Sequence, residues 1–256
     1  MDWSNVAENI SDWIGEYAKK NGIGALVVGV SGGVDSAVAS TISAMTGIDT
    51  IVLNMPIHQD RMQNELSERH IEWLKTKWAN VSEEKIDLSS TYDEFCSKMG
   101  SGLSELSLAN SRARLRMTVL YAIAGSNNGI VIGTGNKVED FGVGFFTKYG
   151  DGGVDISPIA DLYKSDVFAI GKELGVIEEI LDAAPTDGLW EDGRTDEEQI
   201  GASYEELEWA MRELENPPGS EMTDREKEVM SLYLGLHEAN SHKMAPIPVF
   251  KLDSTD

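Results

Sequence analysis

Cysteine is almost missing from this chain. Its 256 residues include one, Cys96, so an internal disulfide framework is excluded and a reducing compartment is expected. Long apolar runs are also lacking. The most apolar stretch, Ala25–Val30, is far too short to span a bilayer. The opening Met-Asp-Trp-Ser-Asn lacks the basic and apolar regions of a secretory signal, so a cytoplasmic protein without membrane attachment is expected. Basic residues are scarce as well: 21 Lys and Arg stand against 44 Asp and Glu, a formal net charge of −23. Such a chain repels a phosphate polymer, which argues against a nucleic-acid partner. A small anion remains possible, because a few convergent cations and backbone N–H groups make a local positive site. The acid excess is concentrated between Val176 and Glu215 and reads as solvated helix surface.

What is present is a globular composition, with 41% hydrophobic and 25% charged residues. Helix and strand signals alternate. Val6, Ile10, Trp13, Ile14 and Tyr17 share a helical face, and Ala25–Val30 reads as a buried strand followed by the apolar helix Val34–Met45. Further strands are predicted over Thr50–Asn54, Lys85–Leu88 and Gly129–Gly133. Helices are predicted around Leu66–Trp78, from a capping box at Thr91-Tyr-Asp-Glu94, and over Ser104–Ala124. This βαβα order predicts an α/β fold, a doubly wound parallel sheet with helices on both faces. Phe141–Asp155 reads as a long functional loop and Asp182–Gly193 as a lid. Helices then open at the capping boxes Thr195–Glu198 and Thr223–Glu226, separated by the linker Asn216–Ser220. One domain over residues 1–256 is expected, with a core to about 175 and a lid and helical C-terminal extension over about 176–256.

The strongest local signal is Gly29-Val30-Ser31-Gly32-Gly33-Val34-Asp35-Ser36, between a buried strand and an apolar helix. There, glycines let backbone N–H groups approach phosphate oxygens, Ser31 and Ser36 add hydroxyls, and Asp35 can bind Mg²⁺. A Gly-Lys-Ser/Thr sequence is missing, so this is not the loop of enzymes that cut the β–γ bond of ATP. Gly133-Thr-Gly-Asn-Lys-Val-Glu139 offers the Thr134 hydroxyl and the hard-oxygen ligand Glu139. It lacks the third glycine of a dinucleotide fingerprint. Arg112 and Arg116 share one face of their helix and Arg114 points elsewhere. Gly144–Pro158 mixes glycines with one lysine and two acids, with no regular period.

Ser31–Ser36 resembles the pyrophosphate-binding loop of the ATP pyrophosphatase superfamily, whose fold is adenine nucleotide alpha hydrolase-like. Gly144–Pro158 resembles the signature of NAD synthetases. So, in the family's order, do Asn110–Met117, Gly133–Glu139, Leu162–Lys164, Pro185–Trp190 with Gly193–Glu197, and Ser241–Lys243. The resemblance implies an ammonia-dependent amidation of deamido-NAD to NAD, with ATP as co-substrate. It implies that Gly29 to Ser36, with Thr134, Lys164 and Thr186, hold ATP. Asp35 and Glu139 would bind Mg²⁺, and Arg114, Lys148, Asp155, His242 and Lys243 would hold deamido-NAD. Family members are homodimers, and Met244 stands where many relatives have arginine. Asp151, in a glycine setting, is expected to bind ammonium and take its proton; its bland alternative is a local turn. A glutaminase domain has no room here, and Cys96 has no sign of activation. Two rivals share the loop: another adenylating enzyme of the superfamily, and a non-catalytic ATP-binding sensor.

Overall fold

The computed structural model describes residues 1–186, 195–215 and 221–252. Four parallel strands form one sheet in the order β3-β2-β1-β4: β1 (Ala25–Gly29), β2 (Asp49–Asn54), β3 (Val81–Lys85) and β4 (Gly129–Val131). Alternation along β1 explains the two layers. Leu26 and Val28 face α1 (Trp3–Asn21), α2 (Val34–Met45) and α6 (Lys164–Leu174). Ala25 and Val27 face α4 (Ser89–Met99) and α5 (Glu105–Ser126). On the α2 side, α3 (Arg61–Lys77) packs Ile71 and Leu74 on Val52. The doubly wound parallel sheet expected from the sequence is therefore present. The strand order reverses between β1 and β4, and that is where such sheets hold ligands.

The third strand differs from expectation. It spans Val81–Lys85 rather than Lys85–Leu88, because Val-Ser-Glu-Glu-Lys is a half-exposed edge strand whose charged side chains hide it from an apolar pattern. Ile86 and Leu88 instead follow the strand and pack toward α4 and α5. Helix α4 starts at Ser89, ahead of the expected Thr91 box, with the Asp87 carboxylate accepting from Ser89 N at 2.8 Å. Strand β4 ends at Val131, and Ile132 then pairs with Ile156 alone.

The expected loop from Phe141 begins inside a π-helix, Lys137–Val143. A wide helical turn of this kind is common at functional sites. It packs against α9 (Tyr204–Glu215) and α10 (Asp224–Met244) through Val138, Val143, Leu207, Met211, Val229 and Tyr233. Short helices α7 (Glu178–Leu181) and α8 (Asp196–Ile200) precede α9. The sequence reading runs α8 and α9 together, but Gly201, at φ 91°, ends α8 after five residues. The Thr195 and Thr223 capping boxes both form. Residues 187–194 of the expected lid and its flanking motifs, and the linker 216–220, lie outside the described residues.

Candidate active site

The turn between β1 and α2 is held by its own hydroxyls. Ser31 N donates to Ser36 Oγ at 3.1 Å, Gly33 N donates to Ser31 Oγ at 3.2 Å, and Ser36 Oγ donates to Gly33 O at 2.9 Å. Gly32 sits at φ 92°, and a Cβ there would lie 2.6 Å from Gln63 O of α3, so the loop is pressed against that helix. Gly33 gives α2 no side-chain cap, which leaves a helix N-terminus facing the cavity for an anion.

Beside it lies a buried charge cluster. Lys164 Nζ, at the start of α6, donates to Asp35 Oδ2 at 2.6 Å and to Glu139 Oε1 at 2.8 Å, with the lysine 2% exposed. Burial alone would lower Lys164, but the two carboxylates hold it well above its ordinary value, so it stays an ammonium. Asn136 Nδ2 donates to Asp35 Oδ1 at 3.0 Å, while its Oδ1 accepts from Val138 N and Glu139 N and caps the π-helix. The Tyr204 hydroxyl donates to Glu139 Oε1 and lies 3.2 Å from Asp196 Oδ2. Its ring lies 4.7 Å from Lys164 Nζ. Burial acts to raise Glu139, and the Lys164 charge with the surrounding donors outweighs it, so Glu139 is held below its ordinary value. Asp35 is pushed up, chiefly by burial.

These two carboxylates fit a divalent cation. Both are hard-oxygen donors, and they already converge on one positive charge. Among the described residues there is no set of three or more His, Cys, Asp or Glu side chains spaced for a metal. Magnesium commonly needs only one or two carboxylates, taking its other ligands from phosphate and water.

The far wall is the Gly144–Val154 segment. Thr147 N donates to both Asp151 oxygens, at 3.1 and 3.3 Å, and Thr147 Oγ1 donates to Asn110 Oδ1 at 2.7 Å. The Asp151 residue as a whole is exposed, but its carboxyl is enclosed, and burial pushes it up to about 6. Asp151 therefore makes the local turn and also lines the cavity. Arg114 Nε donates to Lys148 O at 3.2 Å, Lys148 Nζ donates to His242 O at 2.9 Å, and Lys243 Nζ donates to the carbonyls of Gly144 and Phe146. The end of α10 is thus tied to this loop. Met244 packs its methyl group against Gly144.

A cavity of about 820 Å³ joins all of these parts at the β1/β4 switch point. Of the site residues expected from the sequence, Gly29 to Ser36, Thr134, Glu139, Lys164, Thr186, Arg114, Lys148, Asp151, His242 and Lys243 line it. Asp155 is not among its lining residues. Its Oδ2 accepts from Val131 N at 2.7 Å, and it raises the neighbouring Tyr121 phenol, with burial the larger cause, to about 12. Among the described residues, five lysines and arginines line the cavity of a chain that is otherwise strongly acidic: Arg114, Arg116, Lys148, Lys164 and Lys243. Sequence reasoning missed Asn136, Tyr204 and Asp140. Burial and the Glu139, Asp151 and Asp35 charges raise Asp140 well above its ordinary value, and a Cβ on Gly135 would overlap its carboxylate. Only Asn136 carried a local signal, as an Asn three residues before Glu139 at a helix start.

A parallel sheet with a phosphate-type loop and a lysine–carboxylate cluster at its switch point defines an α/β enzyme of the nucleotide-binding class. The family model for NAD synthase matches residues 6–246. The chain is 36% identical over 263 residues to the NH₃-dependent NAD⁺ synthetase of Alkaliphilus metalliredigens, covering 97% of this chain and 99% of that one. Among solved structures it is similar to NMN synthetase from Francisella tularensis (TM-score 0.87, 32% identity, 98% of this chain and 100% of that one). It is also similar to NH₃-dependent NAD synthetase from Campylobacter jejuni in complex with the nitrate ion (TM-score 0.80, 26% identity, 98% and 100%). The chain belongs to the NAD synthase family.

Proposed function

We propose that the chain amidates deamido-NAD with ammonia at the expense of ATP, giving NAD, AMP and pyrophosphate through an NAD-adenylate intermediate. One observation carries the reading: the phosphate-type loop, the Asp35–Lys164–Glu139 cluster and the Thr147–Asp151 turn line a single cavity. An oxygen of the nicotinate carboxylate attacks the α-phosphorus, and the bond from that phosphorus to the pyrophosphate oxygen breaks. The ammonia nitrogen then adds to the acyl carbon, AMP leaves, and the nitrogen loses a proton. No protein nucleophile is required.

The difficulty is the approach of a carboxylate to a polyanion. The N-terminus of α2 and the cations Lys148, Lys164 and Lys243 counter that repulsion, and positioning supplies the rest. Asp35 and Glu139 would hold Mg²⁺, which when bound neutralises phosphate charge. Gly29–Ser36, Thr134, Lys164 and Thr186 would hold ATP. Arg114, Lys148, His242 and Lys243 would hold the dinucleotide, joined by Asp155 from outside the cavity if the site is completed across a homodimer. Asp151 would bind ammonium and accept its proton. The chain would act as one domain over 1–256, in the cytoplasm; among the described residues no helix is long and apolar enough to cross a membrane.

A second reading follows from the likeness to the Francisella tularensis NMN synthetase: on that reading the substrate of this chain would be nicotinate mononucleotide instead of the dinucleotide. The test is an assay with MgATP and ammonium in which each nicotinate substrate is offered in turn, with AMP and pyrophosphate followed alongside. NAD formed in equal amount to AMP and pyrophosphate, with the higher kcat/KM for deamido-NAD, is expected. A higher kcat/KM for the mononucleotide selects the second reading. ATP binding without pyrophosphate release rejects both, and glutamine in place of ammonium tests the nitrogen source.

A further inference from the structure

Tyr204 is brought to the charge cluster by an arrangement that its own neighbours in sequence do not suggest. It opens α9, where its N–H donates to Glu197 Oε1 at 2.8 Å, and its ring is buried at 7% exposure beside the π-helix core. From there its hydroxyl crosses to Glu139 on the π-helix, 65 positions earlier in the chain. Both Tyr204 and Lys164 donate to the same oxygen, Oε1, so neither donor occupies Oε2. A phenol has one proton. With Glu139 and Asp196 both within reach of Oη, the hydroxyl donates to one of them at a time.

We infer that Tyr204 is a positioning residue for Glu139: it fixes the carboxylate that faces the nucleotide's cation and links that orientation to Asp196 at the start of α8. The inference rests on the reading of Asp35 and Glu139 as the cation site. A group that orients a metal-binding carboxylate through a hydrogen bond typically changes metal affinity by ten- to a hundredfold when removed. The ring of Tyr204 serves the core and its hydroxyl serves Glu139, so Tyr204→Phe separates the two roles.

The test is ATP binding by isothermal titration with and without Mg²⁺, on the full chain, for the wild type, Tyr204→Phe and Glu139→Gln. Mg²⁺ is expected to tighten ATP binding to the wild type, and Glu139→Gln to abolish most of that gain. Tyr204→Phe is expected to cut the gain about tenfold, with ATP affinity in the absence of Mg²⁺ unchanged. In steady state it should raise the half-saturating Mg²⁺ concentration and leave the KM for ammonium unchanged. If Glu139→Gln loses the gain and Tyr204→Phe keeps it, the inference is overturned while the cation site stands. If Glu139→Gln keeps it, the cation site fails and the inference with it. Equal weakening of ATP binding with and without Mg²⁺ would mark Tyr204 as structural only, and also overturns the proposal.

Discussion

Asp151 and Lys164 show how differently two buried charges can be used. Asp151 accepts from Thr147 N, and burial outweighs that donor, so its carboxyl rises to about 6 and is mostly ionised at neutral pH. A carboxylate of that basicity is suited to take a proton from ammonium. Asp151→Asn is expected to lower kcat/KM for ammonium about a hundredfold with the KM for ATP unchanged; steady-state rates against ammonium concentration decide it. Lys164 is the opposite case, an ammonium between two carboxylates. Lys164→Met leaves those acids without their counter-charge and is expected to cost about 3 kcal/mol or more of stability. Urea denaturation measures this, and an unchanged midpoint would contradict it. Lys164 was legible in the sequence only through a family motif. Tyr204 was not legible at all, because its partner lies in another element and a tyrosine at a helix start reads as core.

At the scale of elements, the turn from β1 to α2 was the most readable feature, since buried strand, glycines, hydroxyls and apolar helix follow one another without interruption. Its contact with α3 was not readable, and it makes Gly32 restrictive. Gly32→Ala adds a methyl group 2.6 Å from Gln63 O on a backbone at φ 92°. The left-handed conformation alone costs about 1–2 kcal/mol for a residue with a Cβ. The variant is expected to weaken ATP binding more than ammonium use, as titration of each ligand would reveal. Strand β3 was misread for a related reason. Its pairing with β2 is made by the backbone, while Ser82, Glu83, Glu84 and Lys85 present the composition of a surface. The break between α8 and α9 escaped because one glycine inside a helical pattern is tolerated more often than it ends the helix.

At the scale of the whole molecule, stability is tied to pH through a residue remote from the chemistry. His70 is fully buried, its Nε2 lies 3.1 Å from Ser40 Oγ, and burial lowers it to about 4. The unfolded chain takes up that proton near 6.5 and the folded chain does not. Stability is therefore complete above about pH 6.5 and declines as pH falls toward 4, by roughly 3 kcal/mol from this group. His70→Asn should flatten that part of the profile, as thermal denaturation across the range would record. The net charge of −23 adds self-repulsion, so Tm is expected to rise with added NaCl as screening increases.

The lysine between Asp35 and Glu139 has one more consequence. Because Lys164 Nζ already bridges both acids, a cation that comes between them does not fill a vacancy; it displaces a resident charge. If Asp35 and Glu139 hold a divalent ion, the cluster would act as an ion exchanger with a tethered counter-ion, and uptake would release an ammonium that must find a new anion. A nucleotide phosphate is the nearest such anion in this cavity, so loading with the metal alone should be poor and loading with metal and nucleotide together should be favoured.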